Sequence, residues 1–284
     1  MDWVIRRFHE NWPQRETKGD YGRLAIIGGS DSFSNTPAIV GRAAVRAGID
    51  IPHIIAPRRA ADMSGGFGLD LITEPLDGQI LEPSMVDTVC DALDHADAFV
   101  IGNGLGRDPK TMRAVEKILA ETTIPVVIDA DALYAGLKDV DLKDRPSILT
   151  PHAGEFEHLY EEVGDTLALK KEQLAKAARI YQSTIVLKGE RDVISNGSER
   201  TTNETGNPVM TKGGTGDMLS GIIGTLLCTH ETFTAAAIGT RAAGEAGDHA
   251  ADEYGEAAGV GDIIDAIRTT LIHNDEARSS STDR

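Results

Sequence analysis

The chain has 284 residues, 40% hydrophobic and 5% aromatic, with 30 glycines. That is long enough for one large α/β domain, and it suits Ala/Val/Ile/Leu-packed strands and helices better than a β-sandwich. The 45 acidic residues against 28 basic ones leave a net charge of −17, which argues against nucleic acid or an anionic membrane as partner, since both require a basic footprint.

The start, Met1-Asp2-Trp3-Val4-Ile5-Arg6-Arg7, is mixed and charged and does not read as a signal peptide. Leu24 to Gly28 reads as a buried strand, followed by a helix over Pro37 to Gly48, where Ile39, Val40, Ala43, Ala44 and Ala47 recur at helical spacing. Ile51 to Ala56 is a second strand and Ala98 to Ile101 a third, leading through Gly102-Asn103-Gly104-Leu105-Gly106 into a helix with Pro109 near its start. Pro125 to Asp129, Ser147 to Thr150 and Thr184 to Lys188 are three more strands, and Thr215 to about Arg268 reads as mostly helical. Apolar runs separated by helices are what a mostly parallel sheet covered on both faces requires. The expected fold class is therefore α/β, with no linker and no internal repeat. One domain is expected over 1–272, and the polar, aperiodic tail over 273–284 is expected to be disordered.

Cys90 and Cys228 sit in apolar helical contexts and suggest neither a disulfide nor a metal site. The apolar run Met218 to Cys228 is too short to span a bilayer and is broken by serine and glycines. A cytoplasmic protein is expected. Acid spread along the whole chain, with arginine outnumbering lysine, reads as adaptation to a high-salt interior.

In a parallel sheet, ligands bind at the carboxyl ends of the strands. Glycines and polar residues gather there: Gly28-Gly29-Ser30, Gly102 to Gly106, Asp129-Ala130-Asp131, Thr150-Pro151-His152 and Lys188-Gly189. The most telling stretch is Gly206 to Asp217, which runs into the apolar Met218 to Cys228. A glycine-rich turn opening a buried helix presents N–H groups and a positive dipole end to an anion. Gly214, Thr215 and Gly216 are the candidate anion hole. A carboxylate at its mouth repels a phosphate unless a substrate proton or metal lies between them, so Asp217 reads as a general base beside a phosphate in transfer. The alternative is a first-turn acid complementing the helix dipole.

Other residues leave two readings open. Asp129 and Asp131 could approach Mg²⁺ directly or through water, or Asp131 could cap the helix through Leu133 and Tyr134. His152 is a catalyst or a loop hydrogen-bonder, and Glu155 a magnesium or water ligand or a plain first-turn acid. Lys188 is a phosphate or ribose contact or a solvated strand end. His53, His95, His158 and His249 show no partner pattern and are taken as structural.

Taken together, Asp129-Ala130-Asp131-Ala132-Leu133, Leu149 to Phe156 and Gly206 to Gly224, with Gly28-Gly29-Ser30 and Gly102 to Gly106, resemble the ADP/ATP-dependent NAD(P)H-hydrate dehydratases of the ribokinase-like superfamily. The resemblance spans about residues 20–272. It implies repair of NADHX and NADPHX, the hydrated reduced nicotinamide cofactors: the hydrate hydroxyl is phosphorylated, then phosphate leaves as the ring double bond returns. With ADP the products are NAD(P)H, AMP and phosphate. Carried over by position, the hydrate would contact Thr36, Gly104, His152 and Asp217, and the nucleotide would lie against Lys188, Gly189, Glu190, Arg191, Asp192 and Gly216. Mg²⁺ is implied by the phosphoryl chemistry, with Asp129 and Glu155 as possible ligands.

A homo-oligomer such as a tetramer is implied as well, and so is a separate epimerase, because this chain would act on the S-epimer alone. The chain departs from the family pattern at Phe33 and Asn35-Thr36, a bulkier approach to the substrate, and at Glu190-Arg191-Asp192, where small and hydroxyl residues are usual. The rival readings are a kinase for thiamine precursors, with the same base and anion hole, and a nucleotide-sensing module without turnover.

Overall fold

The computed structural model describes residues 17–279, with 272–279 for their backbone only. Nine strands form one sheet: β1 (Arg23–Ile27), β2 (Ile51–Pro57), β3 (Ile72–Leu76), β4 (Ala98–Ile101), β5 (Val126–Ile128), β6 (Ser147–Leu149), β7 (Thr184–Leu187), β8 (Asp192–Ser195) and β9 (Arg200–Asn203). Their order is β3-β2-β1-β4-β5-β6-β7-β8-β9. Neighbours from β3 to β7 are parallel, whereas β8 and β9 add an antiparallel hairpin at one edge. The six strands expected from sequence are all present. β3, β8 and β9 are additions.

Among the described residues the helices are α1 (Thr36–Ala47), α2 (Arg58–Gly65), α3 (Val86–Leu93), α4 (Pro109–Glu121), α5 (Ala153–Leu159), α6 (Leu167–Tyr181), α7 (Thr215–Leu227), α8 (Thr232–Tyr254) and α9 (Val260–Ser279). The last third is helical, as expected. The tail expected from 273 lies, for its side chains and from 280 on entirely, outside the described residues. None of these helices is long and apolar enough to cross a membrane.

Strand parity divides the core. Leu24, Ile26, Ala98 and Val100 face the layer of α1, α2, α7, α8 and α9, while Ala25, Ile27, Phe99 and Ile101 face that of α3, α4, α5 and α6. Successive side chains point to opposite faces of a strand, so a strand covered on both faces must be apolar throughout.

Helix α7 is the element that matters most for function, and small residues seat it. A Cβ on Gly221 would lie 2.3 Å from the carbonyl oxygen of Val40 in α1, and one on Gly224 2.7 Å from Val100 in β4. Gly221→Ala is expected to force α7 away from α1 and to cost about 1–3 kcal/mol in overpacking, read as a lower midpoint in urea unfolding.

Candidate active site

The chain winds from β1 outward to β3, then crosses back to β4 on the other side of β1. In such sheets the crevice at the carboxyl ends, where the winding reverses, is the expected ligand site. Here the two loops that flank it are joined. The Gly29 N–H donates to the Asn103 carbonyl at 2.8 Å, and Ser30 Oγ donates to the Gly104 carbonyl at 2.9 Å. Gly102, at φ +128°, comes so close to the next strand end that a Cβ would sit 1.8 Å from the Asp129 carbonyl oxygen. Only glycine permits that approach. Thr36, the first residue of α1, packs over Gly104 beside Phe33, which is more than half exposed.

Into this crevice α7 points its N-terminus. Left-handed Gly214 begins the helix, and no side chain caps it. The hydroxyl of Thr215 lies 2.7 Å from the Met210 carbonyl and 2.9 Å from that of Lys212. Lys212 itself is tied to the carbonyls of Glu256 and Ala258. Asp217 lies in the first turn and accepts a hydrogen bond from Asn103 Nδ2 at 2.8 Å. Burial pushes its pKa up to about 6, assisted by the nearby Asp129 charge and opposed by the Asn103 hydrogen bond and Lys188. It can therefore take and release a proton near neutral pH.

Behind Asp217 lies a buried charged cluster. Asp129, at the end of β5, accepts from Lys188 Nζ at 2.9 Å, from Ser220 Oγ at 2.6 Å and from the same Asn103 amide at 3.0 Å. Ser220 follows Asp217 by three residues and so shares its face of α7. Burial alone would raise the pKa of Asp129, but Lys188 and the Ser220 hydroxyl hold it below the ordinary value. Lys188 is in turn opposed by burial and held above its ordinary value by Asp129 and Glu155. Glu155 Oε2 lies 3.8 Å from Lys188 Nζ and accepts the His152 N–H at 2.8 Å, while His152 Nδ1 accepts from the Glu155 N–H at 3.2 Å. The two form a capping box that starts α5.

On the far side of the α7 N-terminus a cavity of about 1050 Å³ opens between β7, the β8–β9 hairpin and α8. Lys188 to Asp192, Gly206 to Pro208, Thr215 and Gly216 line it, as does His152. Asp248 in α8 holds the entrance loop through the Gly206 N–H and Asn207 Nδ2. Lys188 Nζ lies 3.5 Å from where a Cβ on Gly216 would be, which puts its charge at the helix N-terminus.

The candidate residues thus fall into two groups around α7: Thr36, Gly104 and Asp217 on the switch-point side, and Lys188, Gly189, Glu190, Arg191, Asp192 and Gly216 on the cavity side. His152, with a side chain 57% exposed, stands at the cavity's rim. Within the second group the roles differ. Asp192 is mainly a hairpin brace, accepting from the Gly189 N–H and from Asn203 Nδ2, and Arg191 pairs with Glu204 at 3.0 Å. Lys188 is a mostly buried ion-pair partner rather than a solvated strand end. Asp131 caps no helix; it accepts from the Gly106 N–H and from Arg107.

Both oxygens of Asp129 are engaged by Lys188, Ser220 and Asn103, and Glu155 is engaged by His152, so the pair does not fit direct ligation of Mg²⁺. Among the described residues no group of three His, Cys, Asp or Glu side chains is arranged to hold an ion. A magnesium ion is more economically held by nucleotide phosphates and water.

Residues 24–269 match the family model described as NAD(P)H-hydrate dehydratase. The chain is 37% identical over 258 residues to a bifunctional NAD(P)H-hydrate repair enzyme of Pyrobaculum aerophilum, covering 88% of this chain and 50% of that protein. It is 35% identical over 257 residues to an ADP-dependent (S)-NAD(P)H-hydrate dehydratase of Natrialba magadii, covering 90% and 95% of the two chains. The chain therefore spans about half the length of the bifunctional relatives. The crystal structure of an ADP/ATP-dependent NAD(P)H-hydrate dehydratase from Bacillus subtilis, co-crystallised with ATP and Mg²⁺, superposes with a TM-score of 0.80 at 25% identity, covering 96% of this chain and 98% of that one.

Proposed function

The chain belongs to the NAD(P)H-hydrate dehydratase family, and from that premise we propose that it returns the S-epimers of NADHX and NADPHX to NADH and NADPH with consumption of ADP. The observation that carries this reading is Asp217, a carboxylate with a pKa near neutrality in the first turn of an uncapped helix, between a switch-point crevice and a nucleotide-sized cavity. Asp217 takes the proton of the hydrate hydroxyl as that oxygen attacks the β-phosphorus of ADP and AMP leaves. The N–H groups of Gly214, Thr215 and Gly216 hold the phosphoryl group in flight. Phosphate is a far better leaving group than hydroxide; the ring nitrogen lone pair expels it, and loss of a ring proton restores the double bond. When bound with the nucleotide, Mg²⁺ neutralises phosphate charge. Lys188, at the cavity side of Gly216, supplies a fixed positive charge there.

Thr36 and Gly104 form the hydrate side of the crevice, His152 reaches the hydrate from the rim of the cavity, and the Lys188 to Asp192 turn faces the nucleotide. The protein works in a cytoplasm of high salt, as a homo-oligomer, and relies on a separate epimerase to convert R-hydrates to the S form.

The test is optical. NADHX incubated with the protein in high-potassium buffer with Mg²⁺ and ADP is expected to regain the near-ultraviolet absorbance of the reduced nicotinamide ring, with ATP run in parallel. No regain with either nucleotide, in a folded sample, would remove the dehydratase reading and leave the small-molecule kinase.

A further inference from the structure

Asn103 has no part in the chemistry described so far, yet among the described residues it is the only side chain bonded to both Asp217 and the charged cluster behind it. It is 1% exposed and sits in the glycine-rich turn after β4. Its Nδ2 carries two protons, and the two recorded acceptors are Asp129 Oδ2 at 3.0 Å and Asp217 Oδ1 at 2.8 Å. Its Oδ1 is buried without a partner among the described residues. The carboxylates alone therefore dictate which way the amide faces. Turned over, it would set a carbonyl oxygen against both of them, which two acceptor-only groups do not tolerate.

We propose that Asn103 is a positioning residue that anchors the Asp217 carboxylate to the Asp129–Lys188 pair, fixing its direction and how readily it holds a proton. The proposal rests on the reading of Asp217 as the general base. The anchor is rigid because the backbone on either side of Asn103 is fixed. The Asn103 carbonyl accepts from Gly29, and the preceding Gly102 has no room to shift against Asp129. The charged groups around Asp217 are Asp129 at the end of β5, Asp131 in the turn that follows and Lys188 at the end of β7. The two carboxylates favour the protonated form, and Lys188 and the Asn103 amide oppose them. Removing the amide deletes one of the influences that keep Asp217 ionised at neutral pH.

The decisive measurement is the titration of Asp217 in wild type and in Asn103→Ala, by carboxyl ¹³C NMR, with Asp217→Asn identifying the resonance. The pH dependence of kcat/KM for NADHX with ADP is recorded alongside. The midpoint is expected to rise by about half to one pH unit in the variant. The acid limb of kcat/KM should move with it, so that activity falls about 1.5- to 3-fold near pH 6.5 and approaches wild type at about pH 8.5. Asn103→Leu, which keeps the branched skeleton and removes the donors, is expected to do the same and serves if the alanine variant does not fold. A residue with a merely structural role would lower the rate evenly at every pH and move neither midpoint nor limb; that result overturns the proposal. A midpoint that moves while wild type shows no acid limb keeps the anchoring role of Asn103 and removes Asp217 as general base, so the two failures are distinguishable.

Discussion

Asp217→Asn is expected to abolish turnover of NADHX, with kcat lowered by about 10²–10⁴-fold, the usual worth of a positioned general base. Affinity for ADP, measured by calorimetry, should stay within a few-fold of wild type, because the cavity is lined by other residues and the helix N-terminus is intact. Asparagine keeps the shape and can still accept from Asn103, so a loss of rate cannot be ascribed to collapse of the site.

The same substitution should make the protein more stable, and the sign follows from burial. A carboxyl whose folded pKa is raised to about 6 costs stability wherever it must ionise. The penalty is full above that pH and disappears as pH falls toward the ordinary value of about 4. Asparagine carries no such penalty, so Asp217→Asn should gain up to about 3 kcal/mol near pH 8 in urea unfolding and little near pH 4. Unchanged turnover would remove Asp217 from the mechanism, and a destabilised variant would contradict the burial argument.

Lys188→Met should be the most damaging change to the fold. It leaves Asp129 and Glu155 buried beside no cation, and breaking a buried pair by removing one partner costs about 3–5 kcal/mol. Here the pH dependence runs the other way. Asp129 is held below its ordinary pKa in the native protein, so its contribution is present above about pH 4 and is lost as pH falls through the folded value. Without Lys188 burial is opposed only by hydrogen bonds such as that from Ser220, and the balance shifts toward the protonated carboxyl. The gap in unfolding free energy between wild type and variant should therefore be widest at neutral pH and narrow in acid. Adding Asp129→Asn to Lys188→Met removes the orphaned charge and should recover much of the stability. A double variant no better than the single one would show that the ion pair is not the source of the loss.

The strands that were plain in the sequence, β1, β2 and β4 to β7, are the ones covered on both faces, where apolar positions follow one another with few breaks. β3 was hidden because Ile72-Thr73-Glu74-Pro75-Leu76 buries only Leu76. β8 and β9 are four residues each and partly polar, although Asn196-Gly197 between them is a hairpin signal that could have revealed the pair.

Asp217 was legible because glycines, helix start and carboxylate are adjacent in the chain. Its surroundings were not. Asp129 and Lys188 are 59 residues apart, and their pairing requires that β5 and β7 flank β6 in a parallel sheet. Asn103 was concealed by the glycines on either side, which drew the reading to the backbone. The order of the strands, and so the switch point itself, is a property of the whole fold that no local pattern encodes.

The two outermost strands also bear on how the molecule avoids unwanted association. An open sheet presents unpaired N–H and C=O groups at its margins, and a long, flat margin invites another chain to add on. β3 carries Pro75, which offers no N–H, next to Glu74. β9 is four residues long and begins with exposed Arg200. Both margins are thus poor templates for fibre growth, the more so in a chain whose like charges repel one another. Sheet continuation is therefore the least favoured way for copies of this chain to come together.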